Sequence, residues 1–228
     1  SFCTLLRAMS DRSDRPTLLQ TLEREFRLIE EMDPSVADGG HIVYDREVPV
    51  ELRSADGDDG VLEGLKLKLV VVGDDNSPST VRLEVSSEAE LFFHYTCVVN
   101  AQGYLQLRED QKLMCDFREF PITLSKMLNQ VIREPNVFVA VLLLGKDGHS
   151  TLQLLQNLEF KFVELLALPL RESPDALVRS HITYRYNAMR SRLSIMTARL
   201  QDVSALVKVR ESGTGRRRDV EEISADRY

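Results

Sequence analysis

Apolar residues recur at alternating intervals of four and three residues near the C-terminal end of the chain, and this spacing constrains the fold more than any other feature. The positions are Ile182, Tyr186, Met189, Leu193, Met196, Leu200, Val203 and Val207. An unbroken register over about four heptads is typical of the a and d positions of a coiled coil. The alternative is one amphipathic helix folded back on the chain, which fits a wider stripe of period 3.6. The strict alternation favours a dimerising coiled coil.

Residues 41–173 precede this helix and show a period of two, which indicates β-strands. For example, two lysines alternate with Leu65, Leu67 and Leu69. Strand-like runs cover residues 41–52, 62–72, 81–85, 92–99, 113–117, 137–144 and 151–168. A helix is predicted from Pro121, and residues 100–112 are interpreted as a mixed loop or short helical turn. Strands interrupted by one or two helices, without repeating βαβ units, predict an α+β head with a mainly antiparallel sheet or small barrel.

A second amphipathic segment lies near the N-terminus, in residues 13–32. Its apolar residues are Leu18, Leu19, Leu22, Phe26 and Ile29. Their spacing predicts a helix, with Ser13 and Asp14 as the N-cap and Pro16 in the first turn. An exposed apolar face of this size is unfavourable, so we expect the helix to pack on the head or on a neighbouring molecule.

These patterns divide the chain into four parts. Residues 1–40 form an N-terminal extension with an amphipathic helix and a linker, and residues 41–173 form the globular head. Residues 174–210 form the coiled-coil dimerisation helix, and residues 211–228 form a charged, flexible tail. The first residue is Ser rather than Met and the last residues are charged, so we expect a fragment of a longer protein.

Charge and hydropathy exclude several classes of function. The net charge of -7 and the pI of about 5.2 argue against nucleic-acid binding, which requires a basic surface. No run of about eighteen apolar residues is present, so no membrane span is predicted. Cys3, Cys97 and Cys115 lack metal or redox spacing, which favours free thiols in a reducing compartment. We therefore expect a cytoplasmic protein.

The sequence contains no convincing catalytic constellation. No Gly-x-Ser-x-Gly motif occurs, and no cysteine is paired locally with a histidine. His94 and His181 each lack a second ligand at metal spacing along the chain. We therefore predict that the protein is not an enzyme and that it has no metal and no cofactor.

The final strand of the head has two different faces. One face is aliphatic and comprises Val163, Leu165 and Ala167. The other face comprises Phe160, Phe162, Glu164 and Leu166. The aliphatic set suits the core, which would leave the two phenylalanines on the outer face as candidate anchors for another molecule. The alternative is that a helix covers this face and buries both rings.

Several of these segments together resemble a known family. They are the Val81–Val85 strand followed by Phe92-Phe93-His94-Tyr95, the Leu113–Phe117 segment, Phe120-Pro121 at the start of a helix, the strand with Glu159–Phe162, and the register from Ile182 onward. Their order is similar to that of the spindle-assembly-abnormal six family, the scaffold proteins of the centriolar cartwheel. The resemblance covers residues 42–207 and is strongest over 81–128.

The resemblance implies a head similar to those of double-strand-break repair scaffolds, followed by a parallel coiled-coil dimer. It also implies a centriole or basal-body location, self-association, and other centriolar proteins as partners. In this family the heads of neighbouring dimers meet through a phenylalanine that enters an apolar pocket of the next head. The resulting ninefold rings template the symmetry of the centriole.

Carried over to this chain, the inserting residue is Phe160, near the start of the last strand. The family places an Asn two residues before that Phe, whereas Asn157 stands three residues before Phe160, so Phe162 is the second candidate. Two other functional hypotheses fit a globular head followed by a coiled coil. One is an adaptor whose head binds a peptide, and the other is a DNA-repair scaffold. Concentration-dependent association between heads distinguishes the cartwheel protein from both.

Overall fold

The computed structural model describes the backbone of residues 17–54, 60–74 and 77–225, with side chains up to Lys208. It contains two compact units. One comprises residues 32–183, and the other combines the N-terminal helix with the long helix from Tyr184 onward. The predicted turn at 55–60 lies almost entirely outside the described residues, as do Cys3 and the proposed cap at Ser13 and Asp14.

The head is a closed barrel of seven strands in the order β1-β2-β3-β4-β7-β6-β5. Its strands are β1 (His41–Ser54), β2 (Val61–Asp74), β3 (Ser77–Ser87), β4 (His94–Asn100), β5 (Phe138–Leu144), β6 (His149–Asn157) and β7 (Phe162–Glu172). All neighbours pair antiparallel except β1 and β5, which pair in parallel from Val50–Ala140 to Ser54–Leu144. The mainly antiparallel barrel predicted from the sequence is confirmed.

The described residues form four α-helices in addition to the strands. They are α1 (Leu18–Glu30), α2 (Ala101–Gln111), α3 (Phe120–Arg133) and α4 (Asp175–Ala225). α4 continues beyond residue 210, the predicted end of the coiled-coil segment. Among the described residues, no helix is long and apolar enough to cross a membrane.

The core fills the barrel and continues beneath α2 and α3. Leu65, Leu67 and Leu69 of β2 are fully buried, because alternate side chains of a strand point to the same face. In the part of the core beneath the helices, the Tyr104 ring of α2 packs against the Phe120 ring of α3. Their centroids are 5.0 Å apart. This aromatic contact joins the two inserted helices.

Two predicted strand segments are wrong. Residues 113–117 contain no strand, and residues 151–168 form parts of two strands joined by a tight turn at 158–161. The backbone N–H of Leu158 donates to the carbonyl of Lys161 at 2.9 Å and closes that turn. The turn carries no Gly or Pro, so its composition does not mark it.

Residues 100–112, interpreted as a loop or short turn, contain the three-turn helix α2. The Asn100 side chain caps it by accepting a hydrogen bond from the Gly103 N–H at 2.7 Å. Only Tyr104 of this helix is buried, so α2 lacks the apolar stripe from which helices are predicted.

The predicted core face of β7 is also wrong. Leu166, Leu168 and Leu170 are about 1% exposed and point into the barrel, whereas Val163 and Leu165 are only half-buried. The register of β6 and β7 shifts between Leu154 and Leu155. The residues that point into the barrel are therefore even-numbered, as Phe162 is. The inward-facing residues begin only at Leu166, beyond the hairpin, so Phe162 itself is not among them.

The barrel is weakest where β4 meets β7. Only Tyr95–Glu172 and Thr96–Arg171 pair across this seam. Beyond them the Gln111 side chain pairs with the backbone of Ala167, donating to its carbonyl at 2.7 Å and accepting from its N–H at 2.8 Å. The amide thereby takes the place of a neighbouring strand and covers an otherwise open edge.

An ion pair on the outer face of the barrel joins the segment before β1 to β2. Lys68 Nζ lies 2.7 Å from Asp33 Oδ2, and the two side chains are 12% and 5% exposed. Burial by itself raises the pKa of the Asp33 carboxyl. The hydrogen bond and charge of Lys68, together with the Ser35 N–H, outweigh that effect and leave the pKa below its usual value.

We predict that Lys68→Met lowers the free energy of unfolding by about 3 kcal/mol at neutral pH, because Asp33 then stays buried without its cation. Urea denaturation measures the loss. Because the pKa of Asp33 is depressed in the folded state, its contribution is present above the unfolded pKa of about 3.9 and disappears as the pH falls through the folded value. The difference between variant and wild type should therefore shrink below about pH 4.

Lys66→Met is the matched control on the same strand. Lys66 Nζ lies 3.2 Å from Asp45 Oδ1, but both side chains are more than a third exposed. Solvent screens such a pair, and its loss should cost less than about 1 kcal/mol. Equal losses in the two variants would contradict the importance assigned to burial of the Asp33 pair.

Candidate assembly interfaces

The predicted seam of α4 is open to solvent in the single chain. Tyr186, Met189, Leu193, Met196, Leu200, Val203 and Val207 are between 50% and 70% exposed, and Ile182 is half-buried. These side chains project from one face of the helix because residues three and four apart are neighbours on its surface. A continuous apolar stripe of this length favours association with a second helix.

The opposite face of α4 is also apolar and is buried within the chain, and α1 contacts α4 beside it. Ala188, Ile195 and Ala198 are less than 10% exposed and occupy c and f positions when Leu193 is placed at a. Arg199 of α4 forms an ion pair with Glu23 of α1 at 2.9 Å. α4 therefore has two apolar faces, one covered by the chain itself and the other exposed.

α1 is held in place by its cap and by its amphipathic face. Thr17 and Gln20 form a reciprocal capping box, with hydrogen bonds of 3.2 and 2.9 Å. Phe26 is half-buried, and the Arg192 guanidinium of α4 lies 5.2 Å from its ring centroid. We expected this helix on the head or on a neighbouring molecule, but it lies on α4. Leu18, assigned to the packing face, is 65% exposed.

The β6–β7 hairpin presents aromatic side chains to solvent. Phe160 at its tip is 90% exposed, and Phe162 at the start of β7 is 61% exposed. Leu158 on the same turn is 41% exposed. No described element covers the two rings. Exposed aromatic side chains on a short, hydrogen-bonded turn can act as anchors in a pocket of another molecule.

A hollow between β1, β2 and α3 could receive such a side chain. It has a volume of about 420 Å³, and Val43, Val71, Pro121 and Ile122 contribute apolar lining. Ile122 is 60% exposed although it lies in an amphipathic helix. Its apolar side chain is therefore accessible at the edge of the hollow.

Three residues that are distant in sequence meet on the outer face of the barrel. Glu84 of β3, His94 of β4 and His181 of α4 are buried, and one possible ligand atom from each lies within 4.8 Å of the other two. The two imidazole rings are 4.4 Å apart between centroids. Neither histidine has a second ligand at metal spacing along the chain, because local spacing cannot reveal a cluster assembled from three elements.

The two described cysteines, Cys97 and Cys115, are free thiols. Burial raises the pKa of the Cys97 thiol to about 12, which keeps it protonated and unreactive at neutral pH. Cys115 is half-buried, and its backbone carbonyl accepts a hydrogen bond from the Tyr104 hydroxyl at 2.7 Å. Cys97 is therefore a core residue, and Cys115 supports the packing of α2 through this hydrogen bond.

A barrel head that continues into a long helix with an exposed heptad seam defines the class of head-and-coil proteins. A family model described as the centriolar protein SAS N-terminal domain matches residues 42–170. The chain belongs to this family, as the resemblance in the sequence implied. A search of curated protein sequences found no significant match.

Solved structures show the same fold. An N-terminal fragment of Leishmania SAS-6 with part of its coiled coil is 17% identical, with a TM-score of 0.66, over 76% of this chain and 97% of that chain. A Drosophila melanogaster Sas-6 fragment dimerised via its coiled coil is 19% identical, with a TM-score of 0.65, over 81% and 91%. A coiled-coil dimer of C. elegans SAS-6 is 16% identical, with a TM-score of 0.56, over 68% and 93%.

Packing of α1 on α4 can be tested by truncating Phe26. We predict that Phe26→Ala destabilises the contact by about 2 kcal/mol, less than for a fully buried ring. A released helix of 13 residues is marginal in water, so amide hydrogen exchange in residues 18–30 should accelerate by more than about tenfold. Leu28→Ala is the control, since Leu28 is 50% exposed. Equal exchange in both variants would show that α1 does not depend on this contact.

Proposed function

We propose that this protein is a structural scaffold of the centriole or basal-body cartwheel, located in the cytoplasm with the cytoskeleton, and that it is not an enzyme. It dimerises through the α4 seam and oligomerises through contacts between heads, into ninefold rings that template centriole symmetry. Its partners are other copies of itself and other centriolar proteins. The main support for the proposal is the stripe of seven exposed apolar side chains on α4. It occurs in a chain that belongs to the centriolar SAS family.

The α4 seam is the proposed dimer interface. Exposed a and d side chains gain stability by packing into the holes of a second helix. The two helices run parallel in the proposed dimer, so both heads lie at the same end and can link sideways. Tyr186, Met189 and Met196 fill the seam less well than Leu or Ile, so we expect the short coil to be a weak dimer on its own.

The second proposed interface joins heads of neighbouring dimers. Phe160 is the proposed anchor, with Phe162 as the second candidate, and the hollow beside Ile122 is our candidate receptor. Burying one phenylalanine stabilises a contact by only about 1.5–3 kcal/mol, so single head contacts are weak. Rings then depend on many such contacts acting together with the coil. Two twofold interfaces held at a fixed angle produce closed rings or open helices.

For the coil, we predict that Leu193→Glu combined with Leu200→Glu converts dimers into monomers. Both leucines are more than 60% exposed in the single chain, so the changes leave the monomer folded while placing carboxylates in the buried seam of the dimer. Analytical ultracentrifugation measures the mass, and circular dichroism verifies the barrel. Dimers that persist in the double variant would show that another surface holds the chains together.

For the heads, we predict that Phe160→Glu leaves the melting temperature unchanged because the ring is 90% exposed. Head association should weaken by at least about tenfold, because a carboxylate entering an apolar pocket loses its hydration. Sedimentation of the coil-defective double variant, with and without Phe160→Glu, isolates this contact.

Phe92→Glu is the matched control, since Phe92 is a similarly exposed ring, 63% accessible, outside the hairpin. Ile122→Glu tests the candidate receptor and should weaken association as Phe160→Glu does. Unfolding of the head by Phe160→Glu would assign the residue to the core. Unchanged association would exclude Phe160 as the anchor and favour Phe162 or a peptide-binding adaptor.

A further inference from the structure

The buried cluster of Glu84, His94 and His181 lies where the first turns of α4 meet the barrel. The three residues are 4%, 2% and 5% exposed. β3 and β4 are paired neighbours, with Glu84 opposite Thr96 and His94 opposite Ser86, so the Glu84 and His94 side chains lie on the same outer face. His181 lies over this face from α4, within the same compact unit as the barrel.

The cluster supplies the donor atoms that zinc prefers. Two imidazole nitrogens and one carboxylate form a common three-residue ligand set for Zn²⁺, with a water or a second carboxylate oxygen in the fourth position. Ligands about 2.0–2.1 Å from a tetrahedral ion are about 3.3 Å from one another. The three donor atoms here lie within 4.8 Å of one another, so small side-chain rotations bring them to that spacing.

A neighbouring hydroxyl orients one of the histidines. His94 Nδ1 lies 2.8 Å from the Ser173 Oγ, and both residues are buried. When Nδ1 carries the proton and donates to this hydroxyl, Nε2 is the unprotonated nitrogen, which is the form that binds a metal. Such a second hydrogen bond is the usual support of a metal-binding histidine.

The surroundings of Glu84 also favour a cation. Its oxygens accept hydrogen bonds from Ser35 Oγ at 2.7 Å and from Arg82 Nε at 2.9 Å, yet a carboxylate offers about four acceptor sites. Arg82 also pairs with Asp38, and Lys68 pairs with Asp33. Among these five side chains the carboxylates outnumber the cations.

We propose that Glu84, His94 and His181 bind one Zn²⁺ ion per chain and thereby fasten the start of α4 to β3 and β4 of the head. The ion would cross-link the barrel and α4, because its three protein ligands come from separate elements and are all buried. The proposal concerns the head of a single chain and stands independently of ring formation.

Isothermal titration of the metal-free full chain with Zn²⁺ tests the site directly. We expect one ion bound per chain and a melting temperature raised by about 5 °C or more at a hundredfold excess over the dissociation constant. Mg²⁺, which prefers oxygen ligands, should produce neither effect. His181→Gln and Glu84→Gln should each weaken zinc binding by more than about tenfold, whereas His149→Gln should not, since His149 is exposed and outside the cluster.

Cobalt substitution tests the site in the wild-type chain, so its result does not depend on whether the variants fold. Tetrahedral Co²⁺ bound by nitrogen and oxygen should give visible bands without the thiolate charge-transfer absorption that ligation by Cys97 or Cys115 would add. Absence of stoichiometric zinc binding would overturn the proposal. So would binding that survives both His181→Gln and Glu84→Gln, binding lost in His149→Gln, or a thiolate band in the cobalt spectrum.

Discussion

The structure depends on one helix that has two apolar faces. On α4, the face with Ala188, Ile195 and Ala198 is buried within the chain, and α1 contacts the helix beside it. The face with Leu193 and Leu200 stays exposed. A helix in water is stable only when its apolar stripe is buried. The chain itself buries the first stripe, and a second copy is the natural means to bury the second. The coil of the proposed dimer is therefore the centre of a bundle with additional helices on its outside.

The strand edges of the barrel are covered, whereas the aromatic rings of the β6–β7 hairpin are exposed. Closure pairs each strand with two neighbours, and Gln111 occupies the open edge of β7 at Ala167, which removes the usual route to edge-to-edge association. The hairpin that carries Phe160 extends beyond the inward-facing leucines of β7, so its rings contribute nothing to the core. In the proposed assembly, stability and association therefore rest on different residues.

The sequence revealed what depends on local periodicity and missed what depends on tertiary contact. The α4 seam and the alternation of Leu65, Leu67 and Leu69 are local patterns, and the structure contains both the helix and the strand. The turn at 158–161 lacks Gly and Pro, so no turn signal separates β6 from β7 in the sequence. For the same reason the core face predicted for β7 is wrong. The helix α2 buries only Tyr104. The cluster of Glu84, His94 and His181 is assembled from three elements and leaves no signature in spacing.

Ring assembly also requires that the two proposed interfaces keep a constant geometry, since a loose joint would let linked dimers drift into open chains. The first turns of α4 belong to the head, where Val178 and His181 are 3% and 5% exposed. Between Asp175 and Val207 the sequence contains no Gly or Pro, the residues at which helices most often kink. The first turns of the helix that carries the proposed seam are thus packed in the head by buried side chains. A zinc ion at His181 would strengthen that anchor at the point where the proposed scaffold most needs it.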